Sequence, residues 1–505
     1  MTRVTPRWNY SEILYYLPHH PVIRESSLTT TLRVVFNGSA KTTSKLSLHD
    51  LLHEGPKLQS EIFGVITRWR RHRYVYSDDV TKSFRQILVY PEDPDLQRIL
   101  WKNSSEEIIE YQLNTVTYGT RSATYLASRT FRQLAEDEGD RFPEVRDVIL
   151  NTTYMDDVYG DSDTEEGCKA QVNDVNRVFA SGGMLLQKWT CNKPELLCDI
   201  AGTVNESSTL SIDDQELHRT LGLSWDSLRD AFFFSFKAYE NVERLTKRIV
   251  LSQGKLFVQE LWKDQMGWDD QLSEEFVKHW RRFAQEIDDW KEVRVPRHLG
   301  TGDSTIRTEL HGFEDASGVV YGVVVYLKAT GSDGEVHISL VSSKSKLAPI
   351  REGKRQGGIK VTIQMLELMA ASLLSRHAVS VCKTLGIESI EMNLWTDSSV
   401  ALTWIKSEAS KYKQFVKNRF GEIRKLVPRA VWGHVPRDEN PADLVFRGIS
   451  GKKLACSQLW WTGPSWLREG QSSWPEQSVS VAEDEDLERR NVSAHAASAA
   501  VMVEA

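Results

Sequence analysis

The chain has 505 residues, 40% hydrophobic and 26% charged, so it is globular and long enough for roughly two to four domains; its formal net charge of -7 does not advertise a nucleic-acid binder, but affinity for phosphate depends on where the cations sit rather than on their sum. Its five cysteines (Cys168, Cys191, Cys198, Cys382, Cys456) are scattered without CxxC spacing, which argues against a disulfide framework or a zinc site and for reduced thiols. No apolar run approaches the ~18 residues of a membrane span and MTRVTPRWNY lacks a signal-peptide core, so the expected setting is cytoplasmic, with no membrane.

From Tyr10 to Asp226 short apolar strands alternate with turns: LRVVFNGSA, YVYSDD, ILVY, VILNTTYM and DVYGDS. The histidines of PHHPV read as turn residues, with no acid or cysteine at ligand spacing. RWRRHR, residues 68 to 73, is either a solvated helix end or a phosphate-binding patch. Sixteen tryptophans are many for this length; a few aromatic faces can stack on bases, and most are expected in the core. In EEGCKAQVNDVNRVFAS, Val172, Val175 and Phe179 recur at helical spacing, and Gly182-Gly183 ends the helix. The first half thus reads as a mixed sheet with helices on one side. Residues 236–300 read as helical; after a Ser273 cap, Phe276, Trp280, Phe283, Ile287 and Trp290 fall at steps of four and three.

VPRHLGTGDST, residues 295 to 305, reads as a linker. A second unit follows: strands LHGFEDAS, GVVYGVVVYL and EVHISLVSS, helix QMLELMAASLLSRHAV, strand SIEMNLWTD, helix SSVALTWIKS, strand AVWGHV and helix NPADLVFRG. After about residue 470 large apolar residues become rare, and the tail is expected to be disordered.

YMDD sets Asp156 and Asp157 side by side. At the tip of a hairpin their repulsion is tolerable if a divalent cation sits between them and a third acid, for which Asp79, at the end of YVYSD, is the natural candidate. Oxygen-only ligands suit magnesium, and two ions about 3.5 to 4 Å apart can clamp the attacking and leaving oxygens of a phosphoryl transfer. An Asp-Asp pair in a turn, taken by itself, is more often structural.

The ordered series YYLPHHPVIRESS, LRVVFNGSAK, LSLHDLLHEGPKLQ, DVTKSFRQI, LNTVTYGTRSA, YMDDVYGD, LQKWTCN, RTLGLSWD, FEDASGVVYGVVVYL, LWTDSSVALTWIK, VPRDENPADLVFRG and LWWTGPSWL resembles the reverse transcriptase and RNase H of Bel/Pao-type LTR retrotransposons, from about residue 10 to 468. The resemblance implies an α+β fold: a right-hand polymerase, with fingers and palm over 1–235 and a helical thumb and connection over 236–300, then an RNase H-like α/β domain over 301–450 and a C-terminal segment over 451–505. It implies Asp79, Asp156 and Asp157 as the catalytic, metal-binding acids of the polymerase. Phe84 would be the ring that collides with a ribose 2′-OH, Arg33 a contact to the incoming triphosphate, and Tyr118 and Gly119 the floor beneath nucleotide and template. RTLGLSWD resembles the hairpin that grips the primer end. Asp315, Glu367, Asp397 and Asp443 would be the nuclease acids and hold a second pair of Mg2+, with Mn2+ as a substitute, to activate water against a phosphodiester. His434 reads as a loop histidine. The implied partners are an RNA template, a DNA primer, dNTPs and the RNA:DNA hybrid, in the cytoplasm, within virus-like particles.

The sequence departs from the family at Asn37, where Asp is usual, at Thr31, where a basic residue is common, and at Asp78, an extra acid beside Asp79. In LSQGKLFVQELW, residues 251 to 262, a longer passage with a DPLG-like turn is missing, which shortens the expected connection. No DTG-like triplet or HHCC pattern of a protease or integrase occurs. Two alternatives follow: an inactive remnant that only binds nucleic acid, and a fragment that keeps only the nuclease. Primer extension separates them.

Overall fold

The structure is a computed structural model that describes residues 1–4, 14–23, 32–198, 209–211, 222–235, 270–349, 361–408, 411–445 and 450–476. Thr31 and the passage 251–262 lie outside them. Contacts divide the chain into two units, one of residues 1–210 with 226–230 and the other of 211–225 with 231–505.

The strands of the first unit are β1 (Thr2–Val4), β2 (His19–Ile23), β3 (Leu32–Phe36), β4 (Tyr74–Val80), β5 (Arg98–Lys102), β6 (Ile108–Gln112), β7 (Thr153–Tyr154), β8 (Asp157–Ser162) and β9 (Leu186–Cys191). An antiparallel sheet of order β7-β8-β4-β9 carries the acids, and β2-β3 and β1-β6-β5 form two smaller sheets. Strand β4 is central, and Val75, Tyr76 and Val80 on it are fully buried. The main helices are α1 (Ile62–Trp69), α2 (Ala123–Glu138) and α3 (Glu165–Ser181). Helix α3 starts where Thr164 Oγ1 accepts the Gly167 N–H at 3.1 Å, a cap that stabilises by about 1 kcal/mol. Its Val172, Val175 and Phe179 bury against Tyr76, Val158 and Trp189 of the sheet. The helix stops at Gly182, and Gly183 takes a left-handed φ of 72°.

Three local expectations are corrected. VILN is helical: Val145, Val148, Ile149 and Thr152 are buried at helical spacing, and Val148–Thr152 extends the helix Pro143–Asp147. ILVY makes only an isolated bridge, Leu88 to Thr115. The PHHPV histidines lie in β2, where His20 faces Val35 and His19 faces Phe36. RWRRHR closes α1, with Arg70 buried and His72 Nδ1 2.9 Å from Asp163.

Strands β10 (Thr209–Ser211), β11 (Gly222–Asp226), β12 (Ala231–Ser235) and β13 (Arg294–Pro296) form a four-stranded sheet in that order. Helix α4 (Glu274–Asp288) begins with Ser273 Oγ accepting the Phe276 N–H at 3.3 Å, as its sequence predicts. The larger sheet has the order β16-β15-β14-β17-β18, from β14 (Thr305–Ala316), β15 (Val320–Gly331), β16 (Val336–Leu347), β17 (Glu391–Thr396) and β18 (Val431–His434). Strands β14, β15 and β16 are antiparallel neighbours, whereas β17 runs parallel to both β14 and β18.

Helices α5 (Ile363–Leu385), α6 (Ser399–Lys406) and α7 (Gln414–Leu426) contribute to the core of one face. Helix α5 is long and apolar enough to cross a membrane, but most of it is buried in this core. Thr362 caps its start and Gly386, with φ 65°, ends it. The other face carries Phe313, Val324, Tyr326 and Trp395, which pack against Leu454, Trp460, Trp466 and Leu467 from the C-terminal segment. Trp474 still lies 5.2 Å from Trp395, ring to ring, so packing continues past the point where the composition turns polar. NPADLV forms a 3-10 turn, Pro441–Val445, at whose start Asn440 accepts the Ala442 N–H at 3.1 Å and donates to the Glu314 carbonyl at 2.9 Å.

Candidate active sites

In the first unit, pairing of β4 with β8 makes Asp79 the direct cross-strand partner of Asp157, and directly opposed side chains leave the same face of a sheet. Asp156 sits in the turn between β7 and β8, where its carbonyl accepts the Val80 N–H at 2.8 Å. The turn is tight enough to put Met155 at a left-handed φ of 56°. Burial, reinforced by the neighbouring carboxylates Asp156 and Asp79, pushes the Asp157 carboxyl up to about 8. Asp156 is raised by burial and by Asp79, against the cations Lys188 and Arg33. Asp78 faces the interior, almost fully buried. One of its oxygens accepts the Asp79 N–H at 2.7 Å, the other has no partner, and burial pushes the group up to about 9.

Around this cluster stand the other sequence candidates. Arg33, on β3, is near enough to Asp156 to favour its ionised form. The Tyr118 hydroxyl donates to the Val34 carbonyl at 2.6 Å, and its ring lies 6.5 Å from that of Phe84. Arg85 covers the rings of Phe36 and Tyr118 at 5.5 and 5.4 Å. Gly119 has φ 84°, and a Cβ there would meet the Phe36 carbonyl at 2.7 Å, so the close approach of the two backbones requires glycine. Asn37 turns inward on its own loop, accepting from Ser39.

In the second unit the parallel register sets Glu314 beside Thr396, so that the next residues, Asp315 and Asp397, emerge together at the strand ends. Glu367 comes from α5 and accepts a short hydrogen bond from Ser398 Oγ, which also caps α6 by accepting the Ala401 N–H. Asp443 comes from the 3-10 turn. Burial, with Asp397, Asp443 and Glu367 adding like charge, pushes Asp315 up to about 8. Glu367 and Asp397 are also raised by burial; Asn440, Arg437 and His434 hold Asp397 down. His434 ends β18 opposite Thr396, and its Nε2 lies 3.2 Å from the Asp397 carbonyl, so it is a strand residue beside the cluster rather than a loop histidine.

Sequence reasoning missed Glu314, Lys188, Asn440 and Arg437. Glu314 is fully buried, neither carboxylate oxygen meets hydrogen-bond geometry, and burial holds it well above the ordinary carboxylate range. For Glu314 the doublet ED at 314–315 was the available signal. Lys188 had none, since its approach to Asp79 depends on strand pairing.

Among the described residues no three His, Cys, Asp or Glu side chains already stand at metal-holding distance. The acids of each cluster are nonetheless near enough to raise one another's pKa. Both donor sets are carboxylate oxygens alone, set in surroundings that disfavour their charge, which is what a hard divalent cation fits.

Residues 237–398 match the family model described as the Pao retrotransposon-like RNaseH-like domain. That stretch of the chain is thus a Pao retrotransposon-like RNaseH-like domain, consistent with a Bel/Pao-type retroelement protein. The match includes Asp315, Glu367 and Asp397 and stops before Asp443. No curated protein matches the chain. Among solved structures the chain is similar to a foamy viral protease-reverse transcriptase (dRH) in complex with double-stranded DNA, at 10% identity and a TM-score of 0.51, covering 83% of this chain and 65% of the viral one. A foamy viral protease-reverse transcriptase in complex with RNA/DNA hybrid is matched at 12% identity and a TM-score of 0.49, over 84% and 50% of the two chains. The chain therefore spans 65% and 50% of the length of these two structures, and the likeness to the first is one of fold.

Proposed function

We propose that the chain is an RNA-directed DNA polymerase joined to a ribonuclease H, with fingers and palm over 1–235, thumb and connection over 236–300 and the nuclease over 301–450. The observation that carries this reading is strand register. Pairing of β4 with β8 opposes Asp79 and Asp157, and pairing of β14 with β17 brings Asp315 and Asp397 out side by side, so an acid cluster arises independently in each unit.

In the polymerase Asp79, Asp156 and Asp157 would hold Mg2+, and in the nuclease Asp315, Glu367, Asp397 and Asp443 would do so. Bound magnesium supplies charge neutralisation for the phosphate and for the attacking and leaving oxygens. The chain's own residues orient the reactants. Arg33 offers a fork of donors to the triphosphate of a dNTP. Phe84 closes the space a ribose 2′-OH would need, and Tyr118 and Gly119 form the floor beneath nucleotide and RNA template. The primer 3′-OH attacks the α-phosphate and pyrophosphate leaves. In the nuclease, Ser398 fixes Glu367, while Asn440 and Arg437 favour the ionised form of Asp397, so the acids are oriented before the hybrid's RNA strand is hydrolysed.

The test is primer extension on poly(rA) and cleavage of an RNA:DNA hybrid, both with magnesium, using the full chain. Asp156→Asn is expected to lower extension by about 10²–10³ or more and spare cleavage, and Asp397→Asn to do the reverse. Extension by Asp156→Asn at the normal rate would refute the polymerase assignment. Cleavage without extension by the unaltered chain would leave only the nuclease, and binding without either reaction an inactive remnant.

A further inference from the structure

Strand β9 is irregular where it passes the first acid cluster. Ser77 pairs with Thr190 and Asp79 with Gln187, so two steps along β4 are matched by three along β9. The extra residue is a bulge, and it breaks the alternation of the strand: Gln187 and Lys188 are both exposed, and Trp189, Thr190 and Cys191 are all buried. Lys188 takes a left-handed φ of 76°, a conformation that side chains with a Cβ rarely adopt. The result of this distortion is that Lys188 Nζ reaches Asp79 Oδ2 at 2.9 Å. From there the ammonium favours the charged forms of Asp78, Asp156 and Asp157 as well.

A surface ion pair of ordinary kind needs no backbone strain and speaks to one acid. This one is aimed by a bulge at a group of four. We propose that Lys188 is the built-in counter-ion of the cluster, a positioning residue that occupies the place of a divalent cation and is displaced when the cation binds, so that it sets the site's metal affinity. The inference rests on the reading of Asp79, Asp156 and Asp157 as cation ligands. A divalent cation entering the cluster must displace the ammonium from Asp79, and the cost of moving that charge is subtracted from its binding free energy.

The experiment is a Mn2+ titration followed by electron paramagnetic resonance, on the full chain carrying Asp397→Asn to silence the second cluster. Lys188→Met is expected to bind Mn2+ roughly tenfold more tightly than the parent, and Lys188→Arg to bind like the parent. Lys188→Asn, which suits the left-handed backbone, keeps the test valid if the Met variant folds poorly, and is also expected to bind more tightly. Equal or weaker binding by both neutral variants overturns the counter-ion role. If Asp156→Asn in the same background binds Mn2+ as well as the parent does, the metal site itself is refuted and the inference falls with it. Loss of binding by Asp156→Asn with no gain from the neutral variants overturns the inference alone.

Discussion

Asp157→Asn tests whether the first cluster is held at the expense of stability. The carboxyl is raised from an ordinary 3.8 to about 8. Between those values the folded group keeps a proton that the unfolded chain has released, so the folded state binds more protons and stability falls as pH rises through the window. A displacement of that size corresponds to at most about 5–6 kcal/mol above pH 8. Partial exposure and coupling to Asp156 and Asp79 reduce the expectation to about 2 kcal/mol, or roughly 5 °C for a unit of this size. The neutral amide has no such proton to lose. Thermal unfolding in EDTA, recorded from pH 5 to 8.5, should show the melting temperature of the unaltered chain falling as pH rises, and that of Asp157→Asn falling less steeply, its remaining slope coming from Asp78 and Asp315, which are raised in the same way. Parallel curves for the two proteins would refute the burial and like-charge argument on which the cluster's demand for a cation rests.

Two further outcomes are expected. Phe84→Val opens the space beside Tyr118 and should raise incorporation of ribonucleotides relative to deoxynucleotides by roughly ten- to a hundredfold in single-nucleotide extension, the range one missing apolar contact can discriminate; an unchanged ratio would remove Phe84 from the nucleotide pocket. Trp395→Ala deletes a ring that packs 4.8 Å from Trp466 and 5.2 Å from Trp474 and should destabilise the second unit by about 3–5 kcal/mol in urea unfolding, a loss below 1 kcal/mol being incompatible with the packing described.

Some of this architecture was legible in the residues because the signals are local. YVYSDDV reads as a strand from its apolar, β-branched and aromatic content, and EEGCKAQVNDVNRVFAS as a helix from its spacing and its paired glycines. VILN was misread because four consecutive residues suit either a strand or a helix; only the stripe that includes Val145 and Thr152 decides, and it extends beyond the run. Helix α7 escaped notice although Val416, Phe420 and Ile423 repeat at helical spacing, since QFVKNRFGEIRKL is dominated by its charges. Lys188 and His434 could not be assigned from the sequence at all. Each gains its neighbour through pairing between strands far apart in the chain, Lys188 across a bulge and His434 opposite Thr396.

The tryptophan-rich wedge beneath the second sheet bears on how this protein can be dissected. Tyr326 donates its hydroxyl to the Trp460 carbonyl at 2.7 Å, and Lys328 reaches the Glu469 carbonyl at 2.8 Å, so strand β15 is tied to a segment some 130 to 140 residues downstream. A clone ended at residue 450, just past the last acid, would retain all four carboxylates and yet strip the floor from the sheet that presents two of them. The bared rings of Phe313 and Trp395 would then offer a sticky plane, and such a product should precipitate or self-associate, whereas one carried through Trp474 should remain dispersed.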